Sequence, residues 1–243
     1  MSERGHVKNL ENLKKERDFA VSWGARYAPS NPVLLLTNMN SVIAAAEAVA
    51  DALQAARAPY RNATAAAADA FEPLSNLTTR VLNALEASGV PASVVEDAKT
   101  YVRKIKGTRR KPAAADDPTT PDIDESQASY SASQMSRTQR VENFDALVLL
   151  LETQTLYNPN EADLKIDALQ DLSTALKAKH QAVNTAFVAY SNQLGERDRI
   201  YYSDGTGIVS IGNLFKKYAL AAFGKNSAEH NQVKDLEFKK IPR

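Results

Sequence analysis

From Leu35 to Ala70 the chain places apolar or small side chains at alternating steps of four and three residues. The series runs Leu35, Met39, Val42, Ala46, Val49, Leu53, Ala56, Tyr60, Ala63, Ala67 and Ala70. A mean period of about 3.5 cannot put one face of a strand into a core, because strand side chains alternate; it specifies a helix with a seam against another helix. Residues 160–202 carry a second series: Ile166, Leu169, Leu172, Leu176, Val183, Phe187, Tyr190, Leu194 and Tyr201. Some 40 helical residues rise about 60 Å, so an elongated bundle is expected. Pro59 stands inside the first series, and the continuing seam predicts a kink there rather than a stop. The 9 glycines and 10 prolines gather mainly near 29–32, 89–91, 107–121, 203–207 and 224. Good helix formers fill the stretches between them, so the fold class is all-α.

The two long helices share an entrance. GARYAPSNPVLL, residues 24–35, and TQTLYNPNEADL, residues 153–164, both carry Tyr-x-Pro ahead of a long helical pattern. At an offset of 130, eight identities fall between 27 and 60: Tyr27/Tyr157, Pro29/Pro159, Leu34/Leu164, four alanine pairs and Tyr60/Tyr190. A second block, AKTYVRKIKG (98–107) against FKKYALAAFG (215–224), aligns at an offset of 117. The difference of 13 places extra residues of the first half within 74–93. The expectation is therefore a duplication: two related three-helix units with central helices of about 40 residues, each unit a helix, a break, a long helix and a shorter helix closed by glycine. The boundaries expected are 1–107 for the first repeat, 108–133 for a Pro/Ser-rich linker or strap, and 134–243 for the second repeat with its basic tail. VKDLEFKKIPR at the end alternates weakly and reads as an extended tail.

Composition narrows the chemistry. With no cysteine, disulfides, thiolate metal sites and cysteine nucleophiles are excluded. With 30 basic and 29 acidic residues, no strongly electrostatic partner is indicated for the whole chain. The polar start MSERGHVKNLENLKKERD does not resemble a signal peptide, and no window approaches a membrane span, so a cytoplasmic location is expected. SDGTGIVSIG (203–212) follows a helix and lacks Gly-Lys-Ser/Thr, so it reads as a turn, not a phosphate loop. His180 has no ligand-type residue at helical spacing, and neither a metal site nor any cofactor is expected. No catalytic constellation stands out; the acidic residues of ENLKKERD are explained by pairing with lysines along a helix face. IVSIGNLFKKYALAAFG suits a membrane surface, but a bundle core needs the same apolar face.

The strongest charge cluster is YVRKIKGTRRK, residues 101–111. Its Arg103, Lys104, Lys106, Arg109, Arg110 and Lys111 are the candidate nucleic-acid contacts, weighed against the preference of helix C-termini for cations.

TLYNPNEADLKIDALQDL, with SASQMSRTQRVENFDALVLLL before it and FKKYALAAFGKNSAEHNQVKDLEFKK after it, resembles a family of bacterial helical proteins built as internally duplicated bundles. The resemblance implies a bacterial source and a duplicated helical fold, with no established activity and no site residues to carry over. The first half departs from that pattern through its 13-residue insertion and Pro59. The function expected is a non-enzymatic scaffold or protein-interaction module, self-associating or partner-binding. The alternative is a nucleic-acid-binding accessory protein.

Overall fold

The computed structural model describes residues 4–107 and 136–241. The expected linker, with Arg109, Arg110 and Lys111, lies outside the described residues. Every regular element among those described is helical, and no helix is long and apolar enough to cross a membrane. The α-helices are α1 (Arg4–Trp23), α2 (Leu36–Phe71), α3 (Leu74–Ala87), α4 (Ala92–Lys106), α5 (Arg137–Glu152), α6 (Ile166–Tyr202), α7 (Ile208–Phe223) and α8 (Ala228–Val233). Short 3-10 turns at Gly24–Arg26, Pro32–Leu34 and Ala162–Leu164 flank the entrances of α2 and α6.

Local chemistry sets these boundaries. α2 remains helical through Pro59 and ends at Phe71, two residues before Pro73. The hydroxyl of Ser136 caps α5 by accepting from the Gln139 amide at 3.2 Å. Gly107 closes α4 with φ of 68°, a left-handed geometry that costs a side-chain-bearing residue but not glycine. SDGTGIVSIG becomes a turn over 203–207 followed directly by α7.

The chain folds into two compact units, one of residues 1–59 with 187–243, the other of residues 60–186. Both cut across the sequence halves 1–107 and 134–243. In the first unit α1 packs on α7 and α8, and the Pro32–Leu34 turn packs on α7. Its core joins Leu13, Trp23, Met39 and Ala46 to Ile208, Ile211, Phe215 and Ala219. The α7 segment that also suited a membrane surface thus spends its apolar face on a bundle core. Trp23 stacks on Phe215 with ring centroids 5.5 Å apart and meets Phe223 edge-on at 5.0 Å. In the second unit α4 packs against α3 and α5. There Leu74, Leu85 and Ile105 meet Phe144, Leu147, Leu151, Leu169 and Leu176.

The seams predicted from sequence are only partly buried. Met39, Ala46, Val49, Leu53 and Ala67 are inside, but no residue of α2 between Leu53 and Ala67 is, nor any of α6 between Val183 and Arg197. Leu35 is 43% exposed because it sits outside the helix, in extended backbone before Leu36. Phe187 is 49% exposed and lies in the α6 stretch between the two sets of buried positions.

Candidate functional site

Three of the sequence-predicted cations are described, all in the last turn of α4. Arg103 donates to Thr100 Oγ1 at 2.8 Å, and Lys106 Nζ donates to Thr79 Oγ1 at 2.6 Å. Lys104 is exposed, with its ammonium 6.0 Å from the Tyr101 ring centroid. Cations there complement the negative end of the helix dipole. His180 shares hydrogen bonds with Thr138 and Asn184, and no cluster of metal-ligating side chains occurs among the described residues.

The built site lies on the first unit, where the end of the chain runs without helix from Leu236 to Ile241. Two buried asparagines three residues apart on α1 read its main chain. Asn9 donates from Nδ2 to the Lys239 carbonyl at 2.8 Å and accepts the Lys239 N–H at 3.1 Å. Asn12 donates to the Glu237 carbonyl at 2.8 Å. Lys216 of α7 donates to the Leu236 carbonyl at 2.9 Å, and the Ile241 N–H donates to Tyr202 Oη at 3.1 Å. The residues read by asparagine, 237 and 239, are exposed, whereas Phe238 between them is buried, as the period of two in extended chain requires.

Two glycines make the side-chain seats. A Cβ on Gly212 would overlap the Phe238 ring, and one on Gly5 would overlap Ile241. The Lys216 ammonium also lies 5.5 Å from the Phe238 ring centroid. The tail is therefore held at its main chain by two amides and an ammonium, and at its side chains by close seats over Gly212 and Gly5, three residues apart along the tail.

Glu16 continues the line of Asn9 and Asn12 on α1 and is fully buried. Neither of its oxygens has a hydrogen-bond partner among the described residues. Burial pushes its carboxyl up to about 9, opposed by the charge of Lys216. The sequence placed Glu16 among ion-paired acids. Instead Lys14 pairs with Glu11 and Glu47, and Glu16 falls on the inner face with Leu13, Ala20 and Trp23.

Sequence reasoning found the extended tail but missed its berth. The available signal was a pair of amides, Asn9 and Asn12, interleaved with Leu10 and Leu13, which the helical period carries to the same buried face. Compared with known proteins, the chain matches no family model, no curated protein and no solved structure.

Proposed function

We propose that this protein is a non-enzymatic helical interaction module whose first unit docks extended chain segments. The observation that carries this reading is the asparagine pair on the main chain of residues 237–239. A buried amide left unpaired costs about 1–3 kcal/mol, so Asn9 and Asn12 are tolerable in an apolar helix face because a chain segment satisfies them. Main-chain bonds supply affinity for any extended segment, and the seats at Gly212 and Gly5 supply preference, as in other strand-docking modes. A peptide-display library screened on the full chain carrying Phe238→Ala, whose own tail no longer fills the seat, should enrich an aromatic residue followed three positions later by an aliphatic one. Gly212→Ala should weaken those peptides at least about tenfold. A screen that returns no competitor of a peptide of residues 234–243 sinks the reading.

Nucleic-acid binding through the basic end of α4, with Lys104 exposed there, is the second reading. It requires binding that falls steeply with salt and is lost on neutralising Arg103, Lys104, Lys106, Arg109, Arg110 and Lys111.

We also propose that the two halves arose by duplication. Supporting this, the Tyr27 hydroxyl donates to the Leu34 carbonyl at 2.5 Å and the Tyr157 hydroxyl to the Leu164 carbonyl at 2.8 Å. Each tyrosine follows a helix and holds the 3-10 turn that opens the next long one. The second repeated block behaves consistently: Tyr218 packs edge-on against Tyr27 at 5.1 Å, and Tyr101 packs on the core that contains Tyr157.

A further inference from the structure

We infer that the docked tail is exchangeable between copies: residues 236–241 of one copy occupy the groove of a second copy, and reciprocally. The inference rests on the reading of the groove as a docking site and commits it to an occupant whose fit is already visible. Beyond the hinge, the side chains of Asn9 and Asn12 on α1, Lys216 on α7 and Tyr202 hydrogen-bond the segment's main chain. None of these depends on which chain supplies the segment, and a second copy brings the same Phe238 and Ile241.

The connection allows the exchange. The segment leaves α8 through Lys234 and Asp235, both exposed and in a turn. Two backbone bonds close that turn, Lys234 N–H to His230 and Leu236 N–H to Val233. Upstream, α8 is anchored independently by buried Val233, by the Trp23 bond to Gln232 at 3.1 Å and by the Arg26–Glu229 ion pair. Opening the hinge therefore frees the tail and leaves α8 in place. In the exchanged pair Lys234 and Asp235 alone cross between copies, reaching about 7 Å when extended, so the two grooves lie side by side about the two-fold axis. Reciprocal exchange closes as a two-fold dimer with no unfilled groove, so it does not propagate.

The tail in its own groove competes at an effective concentration of order 1 mM, so exchange grows as the protein approaches that concentration. A shortened hinge removes the competitor. Deleting Asp235 should lower the concentration needed for dimers by at least about tenfold, since the tail then fits its own groove poorly and a second copy's groove unchanged.

Light scattering on mixed variants of the full chain tests this. Gly212→Ala blocks the groove while suiting its helix, and Phe238→Ala disarms the tail. Each alone should stay monomeric up to about 1 mM, while the wild type forms dimers and an equimolar mixture of the variants forms a 1:1 complex. A wild type and mixture that stay monomeric throughout overturn the exchange, as does a dimer that Gly212→Ala leaves unchanged. A fluorescent peptide of residues 234–243 titrated into the Phe238→Ala chain separates the two claims. Peptide binding beside a monomeric mixture overturns the exchange and leaves the docking groove standing; no binding overturns both. Ile241→Ala replaces Phe238→Ala if that variant does not melt cooperatively.

Discussion

Glu16 holds a carboxyl group inside the first unit with Lys216 and Tyr27 as its electrostatic neighbours. An isolated carboxylate is expensive to bury, so the folded protein keeps the neutral acid, and the carboxyl is pushed up to about 9 from 4.5. The sign follows directly. Below about pH 4.5 both folded and unfolded chains hold the proton and the group contributes no penalty. As pH rises from there toward 9 the unfolded chain releases the proton and the folded chain keeps it, so stability is lost by about 1.4 kcal/mol per unit. Glu16→Gln removes the titration. Thermal melts from pH 5 to pH 8 should therefore show the wild type losing Tm relative to the variant as pH rises, with Glu16→Gln the more stable at pH 8. Parallel curves would mean that Glu16 is solvated in solution. This residue was hidden in the sequence by its neighbours. ENLKKERD is rich enough in charge to suggest an exposed face throughout, and only the spacing from Leu13 to Ala20 and Trp23 turns Glu16 inward.

At the scale of elements, the sequence spoke clearly where local chemistry decides and was silent where a distant side chain does. The two Tyr-x-Pro corners, the turn at 203–207 and the extended tail were legible, because proline, glycine and alternation act on their own neighbourhoods. How α2 and α4 end inside the second unit was not. Arg140, in the first turn of α5, donates from Nε to the Ile105 carbonyl at 3.1 Å and from Nη2 to the Phe71 carbonyl at 3.3 Å. Its guanidinium also lies 5.4 Å from the Phe71 ring centroid. One cation thus satisfies terminal carbonyls of two helices and complements both dipoles. Charged hydrogen bonds of this kind contribute about 1.5–3 kcal/mol each when removal strands a buried partner. Arg140→Met keeps most of the apolar stem and loses the donors, so Tm should fall by about 5–10 °C. A change within 1–2 °C would show that water caps these carbonyls as well as arginine does. Nothing in RTQRVENF marks Arg140 out from Arg137, since both open the same helix and the carbonyls they could reach belong to residues far away in sequence.

Across the whole molecule, periodicity says which face of a helix is buried and nothing about which helix covers it. That is why the matching residues of the two Tyr-x-Pro corners could be read along the chain while the compact units could not. α1 with the first corner packs on α7 from the other end of the chain, while α5 packs on α4 and the second corner on α3, both from the first half. Neither half contains a complete core. The first unit needs Leu13, Trp23 and Met39 together with Ile208, Ile211 and Phe215. The second needs Leu74, Leu85 and Ile105 together with Phe144, Leu147 and Leu169. Burying an aliphatic or aromatic side chain contributes about 1.5–3 kcal/mol, so withdrawing one half strips each core of more than a marginally stable fold can lose. Such pairing is also dominated by contacts distant in sequence, which slows folding. The consequence can be tested by expressing residues 1–120 and 121–243 separately. If each sequence half were its own domain, each fragment would melt cooperatively alone. The observed cores require the opposite: either fragment alone should lack a cooperative melt and a near-UV aromatic signal, and mixing the two should restore both, with the signal from Trp23 against Phe215 and Phe223 returning only in the mixture.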